Sequence, residues 1–162
     1  MLLIIGLPIS LDTYSQVNNK AFGWMINTLL EHNVPEISIA RLEKFNNPVL
    51  LDSRSKTEYE VSHLEDAIWV GYEDFDIVRM KNICESDTIV VYCSVGYRSE
   101  KITYNLKQLG YNNVYNLYGG IFEWVNNDLP VYDKNGKTCA IHPYDKKWGV
   151  WLEKGCKKYK PE

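Results

Sequence analysis

Short apolar runs alternate with helical segments along most of this chain, and this alternation limits its fold more than any other feature. The clearest strand is 88–92, which is rich in β-branched residues. Other strands are predicted at 49–51, 67–70 and 114–117, and helices at 20–31, 39–45, 57–61, 76–83, 99–109 and 121–126. Because strands that alternate with helices pair in parallel, the chain is predicted to form an α/β fold, a three-layer sandwich with a mainly parallel central sheet flanked by helices.

Composition excludes several broad classes of protein. The chain has 162 residues, of which 45% are hydrophobic, and a formal net charge of −3. This length fits one domain with short extensions, and the apolar content excludes a disordered chain. No apolar run approaches the ~20 residues of a membrane-spanning helix, and an acidic chain lacks the basic surface that nucleic-acid binding requires. We therefore expect neither a nucleic-acid partner nor a membrane span.

Four segments differ in composition. Residues 1–15 are apolar, 16–35 form a helical extension, 36–133 hold the alternating strands and helices, and 134–162 are basic and aromatic. Residues 1–133 carry 10 Lys or Arg and 18 Asp or Glu, whereas 134–162 carry 8 and 3. Because opposite charges attract and because Trp148 and Trp151 are costly to leave in water, the C-terminal extension is predicted to pack on the domain. Residues 133–137 are predicted to link the two.

The first 15 residues allow two interpretations. The apolar run 2–9 is followed by small residues at Thr13 and Ser15, which is the pattern of a signal-peptidase site before Gln16. This interpretation predicts export to the periplasm. The absence of Lys or Arg before the apolar run favours the alternative, a short buried strand or arm of a cytoplasmic protein. The sequence leaves both locations open.

Cys93 follows the clearest strand directly and precedes a short loop and a predicted helix. In α/β sheets, functional groups gather at the carboxyl ends of strands, and a loop that enters a helix N-terminus presents backbone N–H groups to an anion. Gly96 allows the loop to curl, and Arg98 adds a positive charge. These features predict a nucleophilic thiolate at Cys93, whereas Cys84 is interpreted as structural.

Four short motifs occur in order around this loop. They are Asp52-Ser53-Arg54; Glu58-Tyr59-Glu60 with His63 and Ala67; Cys93-Ser94-Val95-Gly96-Tyr97-Arg98-Ser99; and Tyr118-Gly119-Gly120-Ile121 with Trp124 and Leu129-Pro130. Together they resemble the single-domain rhodanese family of sulfurtransferases, over about residues 36–133. The sequence departs from the family pattern at Ser62, Glu65 and Asp66, outside the cysteine loop.

The resemblance implies that a sulfane sulfur passes through a Cys93 persulfide. The donor would be thiosulfate or a persulfide, from a small molecule or a protein, and the acceptor a thiol or cyanide. The amides of the active loop would hold the terminal sulfur; the loop residues are Ser94, Val95, Gly96, Tyr97, Arg98 and Ser99. Because Arg98 is the loop's one charged residue, a persulfide is at least as plausible a donor as the thiosulfate dianion.

Supporting roles are expected for Asp52, Arg54 and His63. Asp52 would tie loops at the sheet edge, Arg54 would pair with Glu58 or a neighbour, and His63 would bond to backbone. Cys139 and Cys156 are interpreted first as inert, then as a pair, and last as residues that resolve the persulfide. None of the four cysteines and three histidines has metal-ligand spacing such as CxxC or HExxH, so no metal and no cofactor are expected.

Two other functions are compatible with such a domain. Phosphatases and arsenate reductases of this fold use a C-x₅-R loop, whereas Cys93 to Arg98 is C-x₄-R, a smaller cradle that suits sulfur better than a tetrahedral oxyanion. Non-catalytic members of the family serve as interaction modules but usually lack the cysteine, which is present here. Sulfur transfer is therefore the first prediction.

Overall fold

A computed structural model describes residues 17–161, so the predicted alternatives for 1–15 lie outside the described residues. The helices are α1 Lys20–Leu29, α2 Ile39–Leu42, α3 Lys56–Val61, α4 Tyr97–Gln108 and α5 Gly120–Asn126. The strands are β1 Glu36–Ile37, β2 Val49–Asp52, β3 Ile68–Trp69, β4 Ile89–Tyr92, β5 Val114–Leu117, β6 Val131–Asp133, β7 Gly136–Thr138, β8 Ala140–Ile141 and β9 Cys156–Lys157. Short 3₁₀ helices occupy Ile77–Met80 and Trp148–Trp151.

Within residues 17–161, five parallel strands form the central sheet in the order β1-β5-β4-β2-β3. All four residues of the central strand β4 are fully buried, because apolar clusters cover both faces of the sheet. Val90 and Tyr92 contribute to one cluster, and Ile89 and Val91 to the other, as strand alternation requires. The predicted α/β sandwich with its parallel sheet is confirmed.

Some element boundaries differ from the predicted ones. The edge strand β1 was not predicted, because it has two residues and its identity rests on pairing with Asn116 and Leu117 of β5. The segment 76–83 forms a single 3₁₀ turn rather than a longer helix. No helix in the described part of the chain is long and apolar enough to cross a membrane.

Residues 133–137 form a tight hairpin, so the predicted linker is wrong. β6 and β7 pair in antiparallel with Asp133 opposite Gly136, and the Asp133 carboxylate accepts the Asn135 N–H at 2.7 Å. Gly136 has φ 116°, a conformation that favours glycine. The chain therefore continues from the sheet into the extension without a flexible connection.

The C-terminal extension contributes to the main apolar core. Ile141 and Leu152 are 0% and 1% exposed, and Trp151 stacks on Phe22 of α1 with ring centroids 5.6 Å apart. Asn126 of α5 donates to the Trp151 carbonyl at 2.9 Å. A disulfide joins Cys139 to Cys156, so the ranking of these cysteines as inert was wrong and the second interpretation holds.

Loss of this disulfide should lower stability. The bond closes a segment of 17 residues, for which chain entropy predicts about 3 kcal/mol. We expect Cys139→Ser to reduce the free energy of unfolding in urea by that amount, with a smaller effect for Cys84→Ser, since Cys84 is free and exposed. Alkylation of the unreduced, unfolded protein should label Cys84 and Cys93 alone. Labelling of all four cysteines would contradict the bond.

Candidate active site

The Cys93 sulfur lies at the carboxyl end of β4, where the chain turns into α4. The residue is 1% exposed, and the Gly96 N–H donates to its Sγ at 3.1 Å. Gly96 has φ 117°, which a side chain would strain, so glycine lets the loop fold back over the sulfur. The first N–H groups of α4, from Tyr97 to Ser99, precede the first intrahelical bond, which runs from Glu100 to Gly96. These amides have no intrahelical acceptor, so they are the groups for which the sequence analysis expected an anion-binding role.

Helix α5 supports the loop that carries Cys93. Its first amides, those of Ile121 and Phe122, donate to the carbonyls of Cys93 and Ser94 at 2.9 and 3.1 Å. These bonds direct the carbonyl oxygens of Cys93 and Ser94 toward α5, where they would not repel an anion bound at the loop. Gly120 makes the approach possible, since a Cβ there would lie 2.4 Å from the Cys93 oxygen.

Arg98 is tied to a buried carboxylate. Its two terminal nitrogens donate to Glu58 Oε2 and Oε1 at 2.7 and 2.8 Å, and Nη2 also reaches Ser94 Oγ at 2.9 Å. Ser94 in turn donates to Glu58 Oε1 at 3.1 Å. The sequence predicted a positive charge beside the sulfur, but Glu58 neutralises most of it, and the side chain of Arg98 fastens the loop to α3.

The electrostatics of this pair follow from burial and bonding. Burial alone would raise the pKa of the Glu58 carboxyl, but the hydrogen bonds and charge of Arg98, with the charge of Arg54, lower it to about 2. Burial lowers the pKa of Arg98, and its bonds to Glu58 and the nearby charge of Cys93 raise it by more. Both groups are therefore charged at neutral pH.

The pairing makes stability depend on pH. Because the pKa of Glu58 falls from its ordinary 4.5 to about 2 on folding, its contribution is complete above pH 4.5 and is lost as the pH drops toward 2. Glu58→Gln should flatten the fall in the free energy of unfolding over that range, as measured by urea titrations. Glu60→Gln, on the same helix but exposed, is the matched control. An equally steep fall in the Glu58→Gln variant would contradict the assignment.

A second buried pair, missed by the sequence analysis, lies under the loop. Ser99 Oγ is 2.7 Å from Asn116 Oδ1 and 3.5 Å from Cys93 Sγ, and Asn116 Nδ2 donates to the Gly96 carbonyl at 3.1 Å. Ser99 and Asn116 are fully buried. Asn116 was detectable as an amide within an otherwise apolar strand, but its target was not.

Asp52, Arg54 and His63, which the sequence analysis named as supporting residues, make their contacts within the domain. Arg54 Nη2 bonds to Asp52 at 2.6 Å and to the Ser62 carbonyl at 2.6 Å, with both side chains of the ion pair fully buried. The neighbour that pairs with Arg54 is therefore Asp52, not Glu58. The His63 ring lies 3.0 Å from the Tyr59 carbonyl and stacks on the Tyr59 ring. None of the three lines the cavity above Cys93.

That cavity has a volume of ≈ 750 Å³. The sequence-predicted residues Cys93, Ser94, Val95, Tyr97 and Arg98 line it, whereas Gly96 and Ser99 are not among the lining residues. The remaining lining residues come from α1, from α3 and its cap, from the loop after β3 and from the extension: Leu29, Ser55, Lys56, Glu58, Tyr72, Glu73, Asp74, His142, Tyr144 and Trp148. In residues 17–161, no group of three His, Cys, Asp or Glu side chains is placed to hold a metal ion.

His142 is the one histidine among these lining residues of the described chain. Burial lowers its pKa, and its Nδ1 accepts the Tyr144 N–H at 3.1 Å. The ring is therefore neutral at pH 7 and has its acceptor nitrogen occupied. We interpret it as part of the cavity wall rather than as an acid or base.

Residues 37–127 match the family model of the rhodanese-like domain, and this span is more than half of the chain. Among curated proteins, the chain is 30% identical over 129 residues to a tRNA uridine(34) hydroxylase of Buchnera aphidicola subsp. Baizongia pistaciae, covering 76% of this chain and 37% of that protein. It is 26% identical over 110 residues to the adenylyltransferase and sulfurtransferase uba4 of Ogataea parapolymorpha, covering 64% and 28%. The chain thus spans about a third of the length of these relatives.

Solved structures agree with this fold. The chain superposes on a Bacillus halodurans protein with a TM-score of 0.56 at 23% identity, covering 73% of this chain and 88% of that one. A rhodanese-related protein of Thermoplasma volcanium gives a TM-score of 0.52 at 27% identity, covering 60% and 96%. The matched family span ends at residue 127, so the wall residues His142, Tyr144 and Trp148 lie beyond it.

Proposed function

Because this chain belongs to the rhodanese-like domain family, we propose that it is a sulfurtransferase that carries sulfane sulfur as a persulfide of Cys93. The position of the Cys93 sulfur carries the proposal. It receives the Gly96 N–H at 3.1 Å, lies at the start of α4, and lines a cavity large enough for a substrate. Backbone amides and a helix N-terminus are groups that bind an anion such as the terminal sulfur of a persulfide.

The reaction then has two displacements. In the first, the Cys93 thiolate attacks the outer sulfur of a donor R–S–SH; the donor's S–S bond breaks, its electron pair leaves on RS⁻, and the proton moves to RS⁻ or solvent. The product is Cys93–S–S⁻, whose terminal sulfur the amides from Tyr97 to Ser99 hold. In the second, an acceptor thiolate or cyanide attacks that terminal sulfur and the Cys93 thiolate leaves.

Loop geometry favours sulfur over phosphate or arsenate chemistry. A phosphoryl transfer enzyme needs a cationic side chain free to bind the transferred oxygens. Both terminal nitrogens of Arg98 are instead bonded to Glu58, and Ser94 shares one of them. The presence of Cys93 in a cavity also argues against a purely non-catalytic interaction module.

Mass spectrometry of the intact protein tests the proposal. After incubation with a sulfane donor, the protein should gain the mass of one sulfur atom, located at Cys93 by digestion. Addition of cyanide should remove that mass and release an equal amount of thiocyanate. Addition at Cys84 instead, or no addition with any donor, would overturn the proposal.

A further inference from the structure

We propose that the C-terminal extension forms the outer wall of the sulfur-transfer site and makes it selective for an organic persulfide with an apolar body over thiosulfate. This inference rests on the proposed function. It deepens that function by assigning a substrate class from the walls of the cavity.

The extension brings three side chains to the cavity: His142, Tyr144 and Trp148. They lie between Cys139 and Cys156, whose disulfide closes the segment. On either side of them, Ile141 and Leu152 are buried in the core. The wall is therefore a fixed part of the fold rather than a mobile tail.

Apolar and aromatic groups dominate the cavity. Tyr72, Tyr97, Tyr144 and Trp148 line the cavity together with Leu29 and Val95. A volume of ≈ 750 Å³ is typical of sites for organic molecules, whereas thiosulfate would leave most of it filled with water. Such walls stabilise a bound donor by removing its apolar surface from water.

Charge gives the second part of the argument. Among the described residues lining the cavity, Lys56 and Arg98 oppose three carboxylates, those of Glu58, Glu73 and Asp74. Arg98 is already paired with Glu58, and the Lys56 ammonium lies 4.0 Å from the Glu60 carboxylate and over the Tyr59 and Trp69 rings at 4.9 and 4.7 Å. A dianion entering this cavity would lose hydration without gaining an unpaired cation in return.

Tyr144 is positioned to contact the donor's body. The Arg98 guanidinium lies over the Tyr144 ring at 4.9 Å, so Arg98 occupies one face of the ring. Tyr144 is 47% exposed, and it lines the cavity together with residues of the loop that carries Cys93. An aromatic or aliphatic group R, carried by the donor sulfur that leaves as RS⁻, would pack against the Tyr144 ring.

Three donors distinguish the effect of the donor's apolar group from the effect of its charge. They are thiosulfate, methanethiosulfonate and benzenethiosulfonate. Methane- and benzenethiosulfonate carry one negative charge and differ in the apolar group; thiosulfate carries two charges. Each donates its outer sulfur to a thiolate, forming an S–S bond to Cys93 and releasing sulfite or a sulfinate with the electron pair of the broken bond. The measured quantity is the second-order rate of Cys93 persulfide formation, divided by the rate with free cysteine to remove intrinsic reactivity.

We expect the normalised rate for benzenethiosulfonate to exceed that for methanethiosulfonate by about tenfold, since burial of a phenyl group favours binding. Thiosulfate should be the slowest. Tyr144→Ala should lower the benzene-to-methane ratio at least about threefold, whereas Tyr144→Phe should preserve it. Tyr104→Ala, at a residue 44% exposed and outside the cavity, is the control and should leave the ratio unchanged.

Reversal of the charge at Glu73 gives an independent test of the selectivity. Glu73 is exposed and lines the cavity, so Glu73→Lys should raise the thiosulfate rate about fivefold relative to methanethiosulfonate. Thiosulfate reacting as fast as benzenethiosulfonate in the wild-type protein would overturn the selectivity while leaving sulfur transfer in place. An unchanged ratio in a folded Tyr144→Ala variant would also overturn it. Absence of Cys93 persulfide with all three probes would instead overturn the proposed function itself.

Discussion

Sulfur transfer by the Cys93→Ser variant should be at least about a thousandfold slower than that of the wild-type protein, the effect of removing a nucleophile. A serine hydroxyl is a much weaker nucleophile than a thiolate at neutral pH and cannot carry a sulfane sulfur as a persulfide. The fold should persist, because Oγ can accept the Gly96 N–H that Sγ accepts at 3.1 Å. Thiocyanate release from a sulfane donor and cyanide measures the rate.

Cys84→Ser is the matched control for this experiment. Cys84 is the other free cysteine and is exposed, whereas Cys93 is buried at the floor of the cavity. The control variant should retain the wild-type rate. Near-normal transfer by Cys93→Ser would show that a different group carries the sulfur.

Gly120→Ala should destabilise the protein by about 4 kcal/mol, because two effects act at one position. The added Cβ would lie 2.4 Å from the Cys93 oxygen and 2.7 Å from the Ser94 oxygen, both backbone atoms that cannot move aside cheaply. The residue also has φ 55°, in the left-handed region that disfavours alanine. Urea unfolding measures the loss, and sulfur transfer should fall with it because α5 would be pushed from the loop.

Gly136→Ala separates the two effects. Gly136 also has a positive φ, 116°, but a Cβ there would meet nothing within 4 Å. Its substitution should therefore show backbone strain without a clash, and should leave sulfur transfer unchanged. Equal losses of stability in the two variants would mean that the contact with Cys93 and Ser94 adds nothing.

Most of the sheet was predictable because the composition of each strand indicates its structure without reference to distant residues. β4 is a run of β-branched residues, and β5 was predicted with the bounds that it has. Strand β1 was not, since Glu36 and Ile37 become a strand only through pairing with β5. The hairpin at 133–137 was mistaken for a linker because its polar composition is shared by loops and tight turns.

The disulfide and the cavity wall show the limit of reasoning from sequence. Cys139 and Cys156 are 17 residues apart, and nothing in that spacing distinguishes a bonded pair from two inert thiols. The fold brings their Cα atoms to 5.2 Å, which suits a disulfide. The aromatic residues of the extension were expected to pack on the domain, and only the tertiary structure places Tyr144 and Trp148 beside the cavity above Cys93.

The sequence by itself determined the α/β architecture and the cysteine at the end of the central strand, together with the glycine-containing loop that leads into α4. These features depend on residues that are neighbours along the chain, so their propensities and spacing are sufficient. Only the tertiary structure decided what Arg98 binds, what supports Ser99, and which residues face the sulfur from above. Glu58 is 40 residues from Arg98, and Asn116 is 17 from Ser99. Such contacts arise from packing between distant elements, and no local pattern encodes them.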